Sequence, residues 1–253
     1  MKTLIESHKL NQLINNFKDF DDLQYLLKIQ NQLLRCCFSE EEKIVIISIP
    51  HFDDQITRGG ELTKITSSGV VLILNLDESN GKFNLIKILS SGRNFNFEFF
   101  GNNIEMSQNG KFIIVTTGIN RFYIYNNKGE LIQTEYFSEE FCTRTGLGEN
   151  LLLSRNNEQL LISDQQYSTK EKKNSGRVLL LKFNHEKGIF EIDHIFLPTT
   201  PIENGYFGCF VSTNYNNNET TKINKIVITD MKANRNSYVL INDIWNLEQP
   251  TGK

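Results

Sequence analysis

The sequence predicts an all-β protein, a β-propeller of about four units that are each a four-stranded antiparallel blade, with a short N-terminal helical segment. Two observations lead to this fold class. Segments of the chain repeat at fixed offsets, and each repeat contains four short apolar runs separated by Gly, Asn and charged residues. Such runs are typical of strands. Four strands per unit, at a period of roughly 45–60 residues, are typical of a propeller blade.

The repeat is visible without gaps. Phe100–Thr116 aligns with Leu147–Ser163 at an offset of 47, and a third copy begins at Phe207, at a further offset of 60. A fourth copy lies upstream, where Gly69 aligns with Gly176 at an offset of 107. The offset of 107 is the total of the other two, so the copies agree on their spacing. We expect matched positions to occupy matched places in successive sheets.

The third repeat shows the four runs most clearly. Its second run is continuously apolar, as expected for a strand buried on both faces. Its fourth run alternates, which predicts an outer, half-exposed strand with Phe190, Ile192, His194 and Phe196 on one face and Glu191 and Asp193 on the other. The predicted strands of this repeat are Asn150–Ser154, Leu160–Ser163, Val178–Phe183 and Phe190–Leu197.

The repeats divide the chain into an N-terminal segment, 1–32, and propeller units at about 33–89, 99–137, 147–198 and 206–253. The outer strand of the last unit is nearly missing after Val239. Closed propellers usually have four to eight blades. The alternatives are a four-bladed ring closed by residues near the N-terminus and part of a larger ring, and an incomplete ring could self-associate through its open strand edges.

The N-terminal segment has helical periodicity. Leu10, Leu13, Ile14 and Phe17 follow the spacing of one face of an amphipathic helix. Two interpretations follow, packing of this helix against the propeller or binding of a partner.

Composition excludes several classes of protein. The 253 residues are 39% hydrophobic and 23% charged, which is a globular composition rather than a disordered one. A net charge of −3 argues against a basic nucleic-acid surface. Four cysteines with no Cys-x-x-Cys pair do not indicate a disulfide scaffold or a zinc site. We therefore expect no cofactor, no metal and no nucleic-acid partner.

The repeat resembles the FG-GAP repeat of integrin α-subunit propellers. Phe100-Gly101 through Ser107 and Phe207-Gly208 through Ser212 match the opening of that unit, and Gly69 and Gly176 begin its later apolar strand. The resemblance implies a β-propeller. The Asp-x-Asp-x-Asp-Gly calcium loop of many members is missing, and the nearest segment, Asp77–Gly81, is interpreted as an Asx-type hairpin turn. WD40-type propellers are the competing assignment, although their Gly-His and Trp-Asp pair is also missing.

The candidate binding residues come shortly after the second predicted strand of a repeat. His51, Asp53 and Asp54 come after the apolar run Ile44–Ile49, in the long loop before Gly69. The equivalent loops of later repeats begin at Asp164 and Asp230, and all should lie on one rim. Loops on one face of a repeat protein commonly bind partners. The candidate binding residues are His51, Asp53, Asp54, Asp164 and Asp230, and no residue is assigned as catalytic or as a metal ligand.

These features predict a non-enzymatic scaffold or interaction module that binds another macromolecule, a protein, through its rim loops. The alternatives are a propeller enzyme of the glycoside hydrolase or lyase type and a calcium-linked adhesion propeller. No signal peptide follows Met1, and no apolar run reaches the ~20 residues of a membrane span. The expected location is cytoplasmic, or extracellular if the natural N-terminus lies upstream.

Overall fold

The structure is a computed structural model that describes residues 35–39, 41–58, 61–93, 95–137, 146–214, 223–231, 235–241 and 244–247. The predicted helical segment, 1–32, lies outside these residues, as does Cys142.

The described part of the chain is all-β. Four sheets have four strands each, and a separate two-stranded hairpin is formed by β3 and β4. The first sheet has the order β1-β2-β5-β6, and the other three follow chain order as β7 to β10, β11 to β14 and β15 to β18. The strands are β1 (Arg35–Ser39), β2 (Ile44–Ile49), β3 (Asp54–Arg58), β4 (Glu61–Ile65), β5 (Val70–Asp77), β6 (Lys82–Leu89), β7 (Ile104–Met106), β8 (Ile113–Thr116), β9 (Arg121–Tyr125), β10 (Leu131–Tyr136), β11 (Leu147–Leu153), β12 (Gln159–Asp164), β13 (Arg177–Asn184), β14 (Ile189–Phe196), β15 (Phe210–Asn214), β16 (Lys225–Thr229), β17 (Arg235–Ile241) and β18 (Ile244–Leu247).

The predicted four-stranded antiparallel architecture is confirmed. Each predicted strand of the third repeat overlaps a strand of the third sheet, and consecutive strands there pair antiparallel. The continuously apolar runs are buried along their whole length, in β2 as in β12. Burial on both faces explains why these two strands do not alternate between apolar and polar residues.

The chain divides into two compact units, Met1–Val115 with Ile124–Leu131, and Thr116–Tyr123 with Ile132–Lys253. The first sheet and the hairpin belong to the first compact unit. The third and fourth sheets belong to the second, and the second sheet draws strands from both.

The glycines of the repeated opening motif occupy matched places. A Cβ on Gly101 would lie 2.9 Å from the Cβ of Ser48, and one on Gly208 would lie 3.2 Å from the Cβ of Ser163. A Cβ on Gly148 would lie 2.8 Å from the Cβ of Thr116. In all three cases the glycine lies against the Ser or Thr near the end of a second strand, and its φ is positive. The sequence repeat is therefore a structural repeat.

The strict alternation predicted for the fourth strand of the third sheet is wrong. Leu180 pairs with His194 but Leu181 pairs with Ile192, so Asp193 is an extra, bulged residue. The bulge puts Phe190 and Ile192 on the face opposite to that of His194 and Phe196, and of the first two Phe190 is buried while Ile192 is 48% exposed. In the first sheet, β6 has the same irregularity at Ile86, the residue that aligns with Asp193 in the sequence repeat.

The predicted near-absence of an outer strand in the last repeat is also wrong. β18 pairs antiparallel with β17, with Tyr238 opposite Leu247 and Ile241 opposite Ile244. The ring of Trp245 packs edge-on against Phe196 of the third sheet, at a centroid distance of 5.4 Å. The strand is only four residues long and has one partly buried side chain, so its sequence pattern is weak.

Candidate functional site

Two segments of the first compact unit lie side by side at one edge of the first sheet. The first, 50–69, follows the second strand, and the second, 90–101, follows the fourth. Because antiparallel strands alternate in direction, β2 and β6 run the same way and finish at the same end of the sheet, where the two segments begin. The backbone N–H groups of Phe97, Phe99 and Phe100 donate to the carbonyls of residues 66, 67 and 68, at 2.7, 3.0 and 2.9 Å.

The same backbone ladder recurs in the second compact unit. The N–H groups of Asn204, Tyr206 and Phe207 donate to the carbonyls of residues 173, 174 and 175, at 2.8, 2.9 and 3.0 Å. Each donor and each acceptor aligns with its counterpart at the repeat offset of 107. The rim loops are therefore built on a repeated backbone frame, and their side chains differ from repeat to repeat.

Asp53 is held by two hydrogen bonds. Its Oδ1 accepts the backbone N–H of Ser67 at 2.7 Å, and its Oδ2 accepts the ammonium group of Lys64 at 2.7 Å. The hydrogen bond from Lys64 contributes most to lowering the pKa of Asp53, with further lowering from Ser67 and from the nearby His51, while burial opposes them. Asp53 thus ties the loop after β2 to the end of the β3–β4 hairpin. The predicted long loop before Gly69 contains this hairpin.

Aromatic side chains of the segment that follows β6 lie near this pair. We call His51, Arg93, Phe95, Phe97 and Phe99 the aromatic rim patch. The His51 ring meets Phe99 edge-on at 5.1 Å, and Phe97 lies 6.2 Å from Phe99. The Arg93 guanidinium lies over the Phe95 ring at 4.5 Å. Phe95 and Phe97 are 51% and 52% exposed, so the patch presents two half-exposed phenyl rings next to charged groups.

Two phenylalanines of the patch have a left-handed backbone. Phe97 has φ of 59° and Phe99 has φ of 52°. This conformation is unfavourable for bulky L-residues and is best tolerated by Gly, Asn and Asp. The equivalent residues of the later repeat, Asn204 and Tyr206, have φ of 52° and 51°. The repeat frame imposes the conformation, and the first repeat places a Phe where the later one has an Asn.

Asp54 begins β3 and lies opposite Ile65 in the hairpin, next to Asp53 along the chain. Its side chain is half-buried. The structure therefore brings His51, Asp53 and Asp54 to the same edge of the first sheet as the aromatic rim patch.

Asp164 lies in the second compact unit and is buried. Its Oδ2 accepts from the Nε of Arg177 at 3.0 Å, across the register pair that joins the end of β12 to the start of β13. Burial raises the pKa of Asp164, and Arg177 opposes that shift. The Arg177 guanidinium lies 4.1 Å over the ring of Tyr167 and 5.8 Å from that of Phe137. Asp164 thus anchors the base of the rim loop 165–176.

Asp230 also lies in the second compact unit, at the end of the fourth sheet's second strand, and is only 6% exposed. The next residue, Met231, is 69% exposed and donates its N–H to the carbonyl of Gly205 at 2.8 Å. Burial is the main cause that raises the pKa of Cys209, and the charge of Asp230 adds to it.

Sequence reasoning found His51 and Asp53 but missed the phenylalanines beside them. The available signal was the alternating run Phe95-Asn96-Phe97-Glu98-Phe99, which lies between two repeats. Arg177 and its stacking on Tyr167 were missed as well, because the contact depends on a cross-strand register that the sequence does not display.

The described ranges contain no group of three or more His, Cys, Asp or Glu side chains placed to hold a metal ion. In the same ranges, no helix has the length and hydropathy needed to cross a bilayer. The enzyme and calcium-linked alternatives remain predictions.

No family model matches the chain, and no curated protein matches it. Solved structures do match. The C-terminal WD40 domain of Sif2 is 14% identical with a TM-score of 0.50, over 82% of this chain and 45% of that one. The chain has a β-propeller fold.

Two further solved structures share the fold. A putative 6-phosphogluconolactonase from Bacteroides uniformis has a TM-score of 0.53 at 15% identity, over 85% of this chain and 52% of that one. Saccharomyces cerevisiae Sqt1 has a TM-score of 0.52 at 8% identity, over 83% of this chain and 46% of that one. The chain thus spans about half the length of these three structures. At such identities the likeness concerns the fold and not the activity.

Proposed function

We propose that the protein is a non-enzymatic β-propeller module that binds a protein partner through its rim loops, and that the aromatic rim patch is a principal contact surface. One observation carries the proposal. Two phenyl rings, Phe95 and Phe97, are about half exposed in the segment after β6, and Phe97 packs near Phe99, which meets His51.

The composition of the patch fits a protein partner. Aromatic and Arg residues are enriched at protein interfaces, where a few of them supply most of the binding free energy. Grouped exposed apolar side chains mark interaction sites more often than isolated ones do. The repeat frame imposes a left-handed backbone at Phe97, where Asn fits better, and a bulky residue kept in such a conformation supports the same interpretation, since strained residues cluster at functional sites.

The charged rim residues have two roles in this proposal. Asp53 and Asp54 lie beside the patch and would contact polar groups of the partner, together with His51. Asp164 and Asp230 are buried, and in the second compact unit they would support the loops rather than meet the partner.

We also propose that the repeat is of the FG-GAP type. Support comes from the Phe-Gly pairs at residues 100–101 and 207–208, which occupy equivalent places against Ser48 and Ser163 of the preceding sheets. The WD40 domain among the similar structures shares the four-stranded blade, so the blade architecture alone does not distinguish the two families.

The test compares variants of the patch with a matched control. Phe95→Ser combined with Phe97→Asn removes both exposed rings, and the Asn is the residue that the later repeat has at this place. Ile88→Ser removes a side chain of equal exposure, 51%, from the outer strand β6. Each purified protein is used as bait in an extract of the source cells, and captured proteins are quantified by mass spectrometry.

We expect a protein that is enriched on the wild type and on Ile88→Ser to be lost on the double Phe variant. Alanine at Asp53 and Asp54 should weaken the same capture by a smaller factor. If the double Phe variant keeps its melting temperature and captures the same proteins as the wild type, the proposal is wrong.

A further inference from the structure

Two consecutive sheets each begin their third strand with an arginine, and the two arginines differ in what they contact. Arg177 begins β13, and its Nε donates to Oδ2 of Asp164 at 3.0 Å. Arg121 begins β9, and its Nε is buried and has no hydrogen-bond partner among the described residues. The ion pairs between described residues do not include Arg121 either. Both arginines belong to the second compact unit.

The sequence repeat shows which residue differs between the two sheets. At the offset of 47, Thr117 of the second repeat aligns with Asp164 of the third. Asp164 is the register partner of Arg177, and the N–H of Thr117 donates to the carbonyl of Arg121 at 3.0 Å, so the two aligned residues hold equivalent places. Thr117 is fully buried, and its hydroxyl oxygen accepts the backbone N–H of Arg121 at 3.3 Å. The second sheet therefore keeps the arginine and has a threonine where the third sheet has a carboxylate.

The two guanidinium groups rest on the same kind of support. That of Arg177 lies 4.1 Å over the ring of Tyr167, and that of Arg121 lies 4.4 Å over the ring of Tyr136. Stacking on a ring fixes the plane of a guanidinium and so directs its N–H groups along the edge of that plane. The Arg177 side chain is almost enclosed, at 11% exposed, whereas the ring that supports Arg121 is 52% exposed. Arg121 is thus held in one orientation beside a ring that a partner can reach.

The residue before Arg121 also has a polar group without a partner. Asn120 is only 6% exposed, and its Oδ1 is buried with no hydrogen bond from any residue that the structure describes. The Asn120 carbonyl accepts the N–H of Phe137 at 3.0 Å, which ties this turn to the end of β10. A buried donor or acceptor that stays unpaired costs stability, and few such groups occur in native proteins. One donor and one acceptor on adjacent residues are therefore available to a group from outside the chain.

We propose that Arg121 binds a carboxylate of the protein partner, an Asp or Glu side chain that stands toward Arg121 as Asp164 stands toward Arg177. This inference rests on the proposed function and names the chemistry that the partner has to offer. A guanidinium and a carboxylate form strong, often bidentate hydrogen bonds. The single charge of one unpaired guanidinium matches a carboxylate better than a phosphate group, which carries nearly two charges. A backbone N–H of the partner next to its carboxylate would supply the donor for Asn120.

Two peptides test the chemistry on the full chain. Acetyl-Gly-Asp-Gly-amide carries one carboxylate, and acetyl-Gly-Asn-Gly-amide is its neutral counterpart. Each peptide is titrated into isotope-labelled protein while the Nε–H signal of Arg121 is followed by NMR spectroscopy. We expect a saturable shift of this signal with the Asp peptide and none with the Asn peptide. The same result from both peptides, or a stronger response to inorganic phosphate than to the Asp peptide, would overturn the proposal.

Thr117→Asp supplies the carboxylate from within the chain. The new side chain would pair with Arg121 as the aspartate of the third sheet pairs with Arg177, so we expect the shift caused by the Asp peptide to be lost. Thr117→Asn has the same size without the charge and should retain the shift. An Asp peptide that binds Thr117→Asp as tightly as it binds Thr117→Asn would contradict the inference.

A pair of arginine variants covers the case in which a buried Asp at position 117 unfolds the protein. Arg121→Gln removes a guanidinium that has no partner among the described residues, so we expect an unchanged melting temperature and a roughly tenfold or greater loss of affinity for the Asp peptide. Arg177→Gln is the matched control and should lower the melting temperature, because it leaves Asp164 buried without its cation. If Arg121→Gln lowers the melting temperature as much as Arg177→Gln does, Arg121 is a structural residue and the proposal is wrong.

Capture from cell extract separates this inference from the proposed function. A protein that is lost on the double Phe variant but kept on Arg121→Gln would overturn the carboxylate site and leave the proposed function standing. A protein that is lost on both variants supports both proposals. If the wild type captures no protein, the proposed function fails, and the peptide titration alone decides whether Arg121 binds a carboxylate.

Discussion

Gly176 and Phe207 form a parallel backbone bridge. A Cβ on Gly176 would lie 2.3 Å from both the backbone nitrogen and the backbone oxygen of Phe207. Gly69 and Phe100, the equivalent pair of the earlier repeat, approach as closely, since a Cβ on Gly69 would lie 2.1 Å from the Phe100 oxygen. The glycine that precedes a third strand and the Phe-Gly pair that opens the next repeat are therefore two halves of one contact. Both glycines also have positive φ.

Gly176→Ala should strongly destabilise the protein, because Ala has both a backbone clash and an unfavourable φ of 84° at this position. We expect a loss of about 3 kcal/mol or more in the free energy of unfolding. The control is Gly188→Ala, where φ is 69° but no atom lies within 4 Å of the added Cβ. There the left-handed backbone alone should cost about 1–2 kcal/mol. Urea unfolding of both variants measures the difference, and equal losses would show that the close approach is absent.

Phe97→Asn should stabilise the protein while it weakens partner binding. Asn tolerates the φ of 59° at this position better than Phe does, so we expect a gain of up to about 1 kcal/mol. Thermal unfolding measures the gain. Phe95→Ser is the control, since it removes an equally exposed ring from the same segment. If Phe97→Asn lowers the melting temperature more than Phe95→Ser does, the ring of Phe97 stabilises the fold and is not strained for function.

Gln133→Leu should destabilise the second compact unit, because it removes a two-way hydrogen bond to the outer strand β14. Gln133 Nε2 donates to the Phe190 carbonyl at 2.7 Å, and the Phe190 N–H donates to Gln133 Oε1 at 2.8 Å. Each buried group left without a partner costs about 1–3 kcal/mol. A neutral Glu at this position keeps an acceptor oxygen and offers one O–H donor in place of the amide N–H, so for Gln133→Glu we expect a smaller loss than for Leu in urea unfolding at a pH where the Glu is neutral. A Leu variant as stable as the wild type would contradict the buried pairing.

Acidification should increase the stability contributed by Asp164, whereas it decreases the stability contributed by a surface ion pair. Because its folded pKa is raised above the ordinary 3.8, the folded protein binds a proton before the unfolded chain does. The stability contributed by Asp164 therefore increases as the pH falls through the raised pKa toward 3.8, and it decreases as the pH rises. The measurement is the difference in unfolding free energy between the wild type and Asp164→Asn from pH 7 down to pH 4.

The difference in favour of the wild type should grow on acidification. A difference that shrinks would show that the attraction of Arg177 outweighs the effect of burial and that the carboxylate is stabilised in its charged form. The comparison with Asn cancels the contributions of other carboxylates, such as Asp53, whose pKa is shifted down.

The repeat made most of the fold predictable from sequence. The opening glycines and the buried second strands could be aligned at fixed offsets, and their places in the sheets follow from that alignment. The bulges at Ile86 and Asp193 could not be predicted, because a bulge changes the pairing register without changing the composition of the strand. β18 escaped prediction because it has only four residues, of which Trp245 alone is partly buried, so no alternating pattern marks it.

The candidate site was predictable only in part. His51 and Asp53 could be placed on a rim because they directly follow a strand. Phe95 to Phe99 follow a different strand, and the ladder that joins them to residues 66–68 is made by backbone groups. The burial of Asp164 depends on Arg177 and Tyr167, which approach it through strand register and loop path rather than through sequence spacing.

The central claim is that the opening glycine of each later repeat lies against the middle strands of the preceding sheet, at the end of its second strand or at the neighbouring residue of its third. Nuclear Overhauser contacts in protein labelled at Gly and at Val and Thr methyl groups test it most directly. We predict contacts from the Gly101 Hα protons to a Val71 methyl, from Gly148 to the Thr116 methyl and from Gly208 to a Val178 methyl. Glycines that each contact a different kind of neighbour, with no match between the three sheets, would contradict the account.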